Sequence, residues 1–357
     1  MRKQSIQPEL EHDLTARERQ VLEAVVRTYV DTAEPAGSRV VSRRFDLGVS
    51  PATVRNTMSD LEEKGYLFHP HTSAGRIPTD LAYRFFVNQL MHPGKLSETQ
   101  RTQLLNELEG APVGPVEQMV GRAARALSVL SYELGLAIAP HLDDAVLEKL
   151  DLIQVSTDKV LLVATIRSGL VRTVYMDLPG EVPEDTLSTL TSILNERLAG
   201  LSLAQIRATL PERLQDSAPD DEATEELLNI FMQSGADLFD WSTLDESEIH
   251  LGQTSVLAAQ PEFTQGVRLK ELIELTERRD LLAGVLDARR RTGGLQITIG
   301  GENDSEELSD FTLVTAEYRA GGLKGVIGVI GPTRMPYEKV IAIVDHTSRL
   351  VTDLLTR

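Results

Sequence analysis

The chain has 357 residues, 41% of them hydrophobic, which is enough for two or three packed domains at ~100–200 residues each. It carries a net charge of −18 and no cysteine, which excludes disulfides and thiol chemistry and fits a reducing compartment. No apolar stretch reaches the ~18 residues of a membrane span, and the basic start MRKQSIQPELEHD leads into no apolar signal run, so a cytoplasmic protein is expected.

Thr15 and Glu18 have the spacing of a capping box ahead of a helix running to about residue 30, with Leu14, Val21, Leu22, Val25, Val26, Tyr29 and Val30 as its buried stripe. Ser38 is placed to cap a short helix ending near Phe45. Asp46-Leu47-Gly48-Val49 make the turn. Ser50 then caps a second helix, Pro51 takes its first position, and Gly65 follows its last turn. In that helix, 51–64, Val54, Met58 and Leu61 face a core, while Ala52, Thr53, Arg55, Asn56 and Ser59 lie on the small, polar side. A guanidinium can read guanine and a side-chain amide can read adenine through paired hydrogen bonds in a major groove. Residues 65–68 predict a strand. The stretch 69–79 reads as a hairpin tip turning at Ser73-Ala74-Gly75, which completes a helix-turn-helix with a wing. Base contacts are therefore expected from Thr53, Arg55, Asn56 and Ser59. Backbone or wing contacts are expected from Ser38, Arg39, Arg43, Arg44, His71, Thr72 and Arg76.

The distribution of charge supports this surface. Residues 1–92 hold 12 basic and 12 acidic residues, so the whole excess of acid lies beyond them. Within 36–58, four arginines face one aspartate, a local charge of +3. An acidic remainder opposes unspecific adhesion to DNA.

A helix over about 80–91 ends at Pro93-Gly94. Another over 97–109 ends before Pro112-Val113-Gly114-Pro115, and 93–115 reads as a linker that tethers the DNA-binding unit loosely. A helix is predicted over 116–134, then strands at 150–155, 160–166 and 170–176 and a helix over 184–198. Residues 201–292 differ in character, with helical stretches at 222–234 and 269–291 around a short strand pair near 249–258; twelve acidic residues and one arginine fall within 211–248. Strands at 295–299, 311–318 and 326–330 and an amphipathic helix over 336–355 close the chain. The expected organisation is a DNA-binding domain (1–92), a linker (93–115), a six-stranded sensor-like domain in two pieces (116–200 and 293–357) and an insert (201–292). The insert is the expected dimer interface, through Phe231, Leu272, Ile273, Leu275 and Leu282.

Nothing in the pattern predicts an enzyme. Gly325, Gly328 and Gly331 lie in and at the end of an apolar strand, not between a strand and a helix as a dinucleotide loop needs. His69 and His71 have no further ligand nearby, Asp143-Asp144 lack catalytic partners, and Ser168, His250 and His346 show no nucleophile pattern. No metal or cofactor is expected.

Six strings, PAGS (35–38), SPATVRN (50–56), LEEKGYL (61–67), PHTSAGRIPT (70–79), IGGEN (299–303) and GPTRMPY (331–337), closely resemble the heat-inducible transcription repressor family, HrcA. The resemblance spans nearly the whole chain and implies an α+β multidomain fold: an N-terminal winged helix-turn-helix and a GAF-like α/β domain carrying an inserted, mainly helical dimerisation domain. It also implies a homodimeric repressor of chaperone operons, bound to an inverted-repeat operator of the CIRCE type in double-stranded DNA, with its activity supported by the GroEL chaperonin. Such a protein would be cytoplasmic, associated with the nucleoid when on its operator. The alternative is a regulator gated by a small molecule in the GAF-like domain, and an apolar pocket with convergent polar groups would favour it.

Overall fold

The structure, a computed structural model, describes residues 14–70, 75–92, 94–109, 116–140, 142–167, 171–178, 180, 182–215, 222–239, 249–264 and 266–356. Helix α1 (Ala16–Thr32) starts on the capping box read from the sequence: Thr15 N donates to Glu18 Oε2 at 2.8 Å and Glu18 N to Thr15 Oγ1 at 3.3 Å. Helix α2 (Ser38–Arg44) starts one residue earlier than expected. Gly37 is its cap, because the chain before it is held extended by a two-hydrogen-bond bridge between Ala36 and Arg76. Helix α3 (Pro51–Glu63) has Ser50 as its cap, accepting from Thr53 N. It ends in a Schellman motif: Tyr66 N donates to Leu61 O and Gly65 N to Glu62 O, with Gly65 at φ +80°. Strands β1 (Leu67–Phe68) and β2 (Ile77–Pro78) pair antiparallel as the wing.

Helix α4 (Asp80–Phe85) runs on into a π turn ending at Leu90. Helices α5 (Glu98–Glu109) and α6 (Val116–Ser131) follow, then strand β3 (Leu134–Ile138). Strands β4 (Leu147–Ser156), β5 (Lys159–Ile166) and β6 (Val171–Asp177) precede α7 (Glu184–Leu198), α8 (Leu203–Gln215) and α9 (Glu222–Leu238). The rest is β7 (Ile249–Leu251), α10 (Thr254–Ala258), α11 (Gly266–Glu277), α12 (Arg279–Thr292), β8 (Leu295–Ile299), β9 (Phe311–Ala320), β10 (Leu323–Pro332) and α13 (Tyr337–Thr356).

The six predicted strands do not share a sheet. Five strands in the order β7-β3-β10-β9-β8, all antiparallel, make the GAF-like sheet; β4-β5-β6 make a separate one. The two extra strands of the larger sheet are β3, whose sequence reads as the end of a helix, and β7. β3 and β7 are neighbours, so the chain leaves the sheet at Ile138 and returns beside it at Ile249. The insert between them has its own core, built on the β4-β5-β6 sheet and α7–α9, in which Leu162, Leu190, Ile206 and Phe231 are buried. Residues 249–292, expected in the insert, instead edge and cover the larger sheet. Physically, both strand groups are short β-branched runs, and composition cannot say which run pairs with which.

The described part of the expected linker, 94–109, is not a loose tether either. α5 buries Leu104 and Leu108 in a core that continues without a break from Leu14 of the winged helix to Val351 of α13. Polar ties reinforce this joint. Arg27 on α1 makes a bidentate pair with Glu338 on α13, at 2.7 and 3.2 Å. Arg84 on α4 pairs with Glu302 and donates to Ile297 O at 2.8 Å. Gly301 N donates to Asp80 at 2.9 Å, and Arg334 to Val30 O at 2.5 Å.

Candidate nucleic-acid interface

The winged helix gathers its polar side chains around one cleft of about 620 Å³. Arg55, Met58 and Ser59 come from α3, Ser38 and Arg39 from the start of α2, and His69, Gly75 and Arg76 from the wing. Val54, Thr57, Met58 and Leu61 bury the other side of α3, so Arg55 and Asn56 stand exposed. Thr53 is half-buried and its hydroxyl is tied to the cap, 3.0 Å from Ser50 Oγ; the Ser59 hydroxyl donates to Arg55 O at 3.3 Å.

The arginines divide into two groups. Arg39, Arg43 and Arg55 are exposed and have no carboxylate partner among the described residues; Arg39 and Arg43 are four positions apart, on one face of α2. Arg44 is drawn to the opposite side, paired with Asp31 at the end of α1 and lying over the Phe45 ring at 5.7 Å. Arg76 is half-buried and held by Glu62 at 2.8 Å, with its Nε buried and unbonded. Arg76 therefore presents a pre-positioned guanidinium, whereas Arg44 serves the packing of α1 against α2. His71 and Thr72 lie outside the described residues.

Gly75 was read from the sequence only as part of the wing's turn, and Glu62 was not singled out. A Cβ on Gly75 would overlap the Ala36 carbonyl, so the wing is pinned to the chain before α2 by a contact only glycine permits. The signal was present: Gly75-Arg76 of the wing string meets Pro35-Ala36 of the PAGS string. The joint with the body was also missed, although its charged members Glu302 and Arg334 sit inside the IGGEN and GPTRM strings.

Four of the five expected interface residues lie elsewhere than on a surface. Phe231, Leu272, Leu275 and Leu282 are at most 3% exposed, packed in the cores of their own chain, and a side chain already covered has nothing left to give a partner. Their helical spacing marked an internal stripe. Ile273 alone of the five is exposed. A different surface is open, the outer face of the β4-β5-β6 sheet. Ile153, Leu161 and Tyr175 form one cross-strand row there, beside exposed Val155 and Val171. The inner row, Leu152, Leu162 and Val174, packs on the insert core.

Among the described residues, no helix is long and apolar enough to cross a membrane, and no group of three or more His, Cys, Asp or Glu is placed to hold a metal ion. A winged helix with an exposed Arg-Asn pair, docked on a GAF-like body with an inserted domain, has the build of a transcription regulator. Residues 117–341 match the family model described as the HrcA protein C-terminal domain. The heat-inducible transcription repressor HrcA of Chlorobium phaeovibrioides (strain DSM 265 / 1930) is 36% identical over 355 residues, 96% of this chain and 98% of that protein. That of Chlorobaculum tepidum (strain ATCC 49652 / DSM 12025 / NBRC 103806 / TLS) is 36% identical over 354 residues, with the same shares covered. The chain belongs to the HrcA family of heat-inducible transcription repressors. A solved structure titled "Crystal structure of a hypothetical protein at 2.2 A resolution" shares the fold, with a TM-score of 0.62 and 21% identity over 96% of this chain and 99% of that one.

Proposed function

We propose that this chain represses chaperone operons by binding an inverted-repeat operator of the CIRCE type as a homodimer, and that GroEL maintains its DNA-binding form. The observation that carries the DNA reading is the cleft that unites the exposed face of α3, Arg39 of α2 and Arg76 of the wing. One such module reads too few bases for a unique site, and two related by a two-fold axis match an inverted repeat. The outer face of the insert's sheet supports self-association: it is apolar, contiguous across three strands, and flanked by opposite charges paired at Lys149–Asp151 and Lys159–Asp177. The chaperonin dependence rests on the family resemblance, and an exposed apolar sheet face is also a surface that a chaperonin can hold while the chain is a monomer. The experiment is a gel-shift titration on the chain's own chaperone promoters. Chaperonin with ATP is expected to raise the fraction competent to bind, and excess unfolded client to lower it. Full activity without chaperonin, unchanged through a heat-shock temperature step, would remove the chaperonin from the scheme. Equal affinity for the inverted repeat and for one half-site would remove the dimer.

A further inference from the structure

Arg289, in the last turn of α12, is 7% exposed and lines a cleft of about 610 Å³ between α12, β8 and the IGGEN loop. Its guanidinium donates to the hydroxyls of Thr315, at 3.0 Å, and Thr298; no carboxylate pairs with it among the described residues. Asp287 is engaged by Arg290 and Arg291, Glu302 by Arg84, and Glu317 by Arg319 and Lys324. Desolvation lowers its pKa to about 10, which leaves it charged at neutral pH. The two hydroxyls and the C-terminal dipole of α12 offset part of the cost of that buried charge. They do not supply a counter-ion, and a fork of five N–H donors with two bonds made has donors to spare.

We infer that this cleft is a binding site for a small monocarboxylic acid with an apolar tail, its carboxylate on Arg289. The class follows from the walls. Leu281, Val285, Ala288 and Leu308 give an apolar side suited to a hydrocarbon body. Asp280, Glu302 and Asp304 line the same cleft; Arg278 and Arg84 pair with the first two, and the remaining negative charge opposes a doubly charged phosphate more than a single carboxylate. The site is also connected to the DNA-binding unit. Thr298 donates to Asn303 Oδ1 at 2.6 Å, and Asn303 holds the loop whose Gly301 and Glu302 bind Asp80 and Arg84 of α4. A ligand on Arg289 therefore sits one hydroxyl away from the loop that docks the winged helix.

The test is isothermal titration of the full chain with acetate, hexanoate, benzoate, hexanol and inorganic phosphate. Hexanoate or benzoate is expected to bind saturably, tighter than acetate, with hexanol and phosphate at least about tenfold weaker. Arg289→Gln, which removes the charge but keeps two N–H donors, should weaken the carboxylate about tenfold or more. Gly284→Leu is the independent variant: a Cβ there meets open space, so the helix tolerates it, while the longer side chain occupies the cleft without touching Arg289's bonds. It should weaken hexanoate and benzoate and leave the melting temperature of the unliganded chain unchanged or higher. Failure of all three carboxylates to bind the wild-type chain overturns the site. Binding that survives both variants places it elsewhere, and tighter binding of phosphate than of any carboxylate overturns the ligand class.

Discussion

Replacing Tyr175 with threonine tests whether the outer face of the insert's sheet joins two copies of the chain. The ring is 67% exposed on β6, in register with Leu161 and through it with Ile153. Its removal leaves no cavity, and threonine keeps β-propensity, so the monomer should lose no more than about 0.5 kcal/mol. Covering roughly 150 Å² of the ring at about 25 cal/mol per Å² gives a ceiling near 4 kcal/mol per copy. Incomplete cover and side-chain ordering reduce that by about half, to roughly 2 kcal/mol. A two-fold interface contains the ring twice, so the dimer should lose about 4 kcal/mol, near a thousandfold rise in Kd. Sedimentation equilibrium over a concentration series reads this directly, with a thermal melt of the diluted protein as the folding control. An unchanged dimer Kd refutes the assignment. Ile273→Thr on α11 is the discriminating companion: if it breaks the dimer and Tyr175→Thr does not, the interface lies on the GAF-like domain.

Arg55→Ala or Asn56→Ala should each cost ~1–3 kcal/mol of operator affinity and relax base preference, whereas Arg39→Ala should weaken all DNA alike and reduce the salt slope by about one unit, both read by gel shift at several salt concentrations. Gly75→Ala must displace the wing from Ala36; losing the two bridge hydrogen bonds should lower stability by about 1–3 kcal/mol in denaturant titration and weaken operator binding, and unchanged values of both would refute the pinning. Burial pushes the Glu133 carboxyl well above its ordinary value, so the folded state binds its proton where the unfolded chain has released it. Stability should therefore fall as pH rises from about the ordinary carboxylate value of 4.5 through the raised one, and Glu133→Gln should flatten that fall in melts taken across the range.

The winged helix was legible because each of its steps is local. A capping box, a Ser-Pro start and a Gly stop are decided by residues within one turn of each other, and Val54, Met58 and Leu61 repeat at the helical period. The sheets were not legible, because pairing is decided at a distance. Leu134–Ile138 follows α6 after a two-residue turn in which Tyr132 takes a left-handed backbone at φ +66°, and an apolar run in that place continues the helical stripe as well as it starts a strand. The interface failed for a related reason. Phe231 and Leu282 lie on true amphipathic stripes, and a stripe has the same period whether it meets another helix of its own chain or of a second one. Arg55, Arg39 and Arg76 could be named in advance, but not that Arg44 would turn to Asp31 and Arg76 to Glu62.

The continuous core between the winged helix and the body changes how heat can act. A loosely tethered reading head would keep its own stability while the body melted, and heat would act only by separating two intact heads. Here residues of α1, α4, α6 and α13 belong to one apolar core, with the Tyr83 ring of α4 against Tyr337 of α13, so the head loses part of its core when the body opens. The charged ties Arg27–Glu338 and Arg84–Glu302 cross that boundary half-exposed, where each contributes little by itself and mainly fixes the angle at which α3 is presented. On the proposed inverted-repeat operator the distance between two reading helices would be fixed, so that angle would matter as much as the fold of the head. On the proposed function, the body's stability, the orientation of α3 and operator affinity would thereby be coupled through one packed boundary, and marginal stability in any part of it would be felt at the DNA.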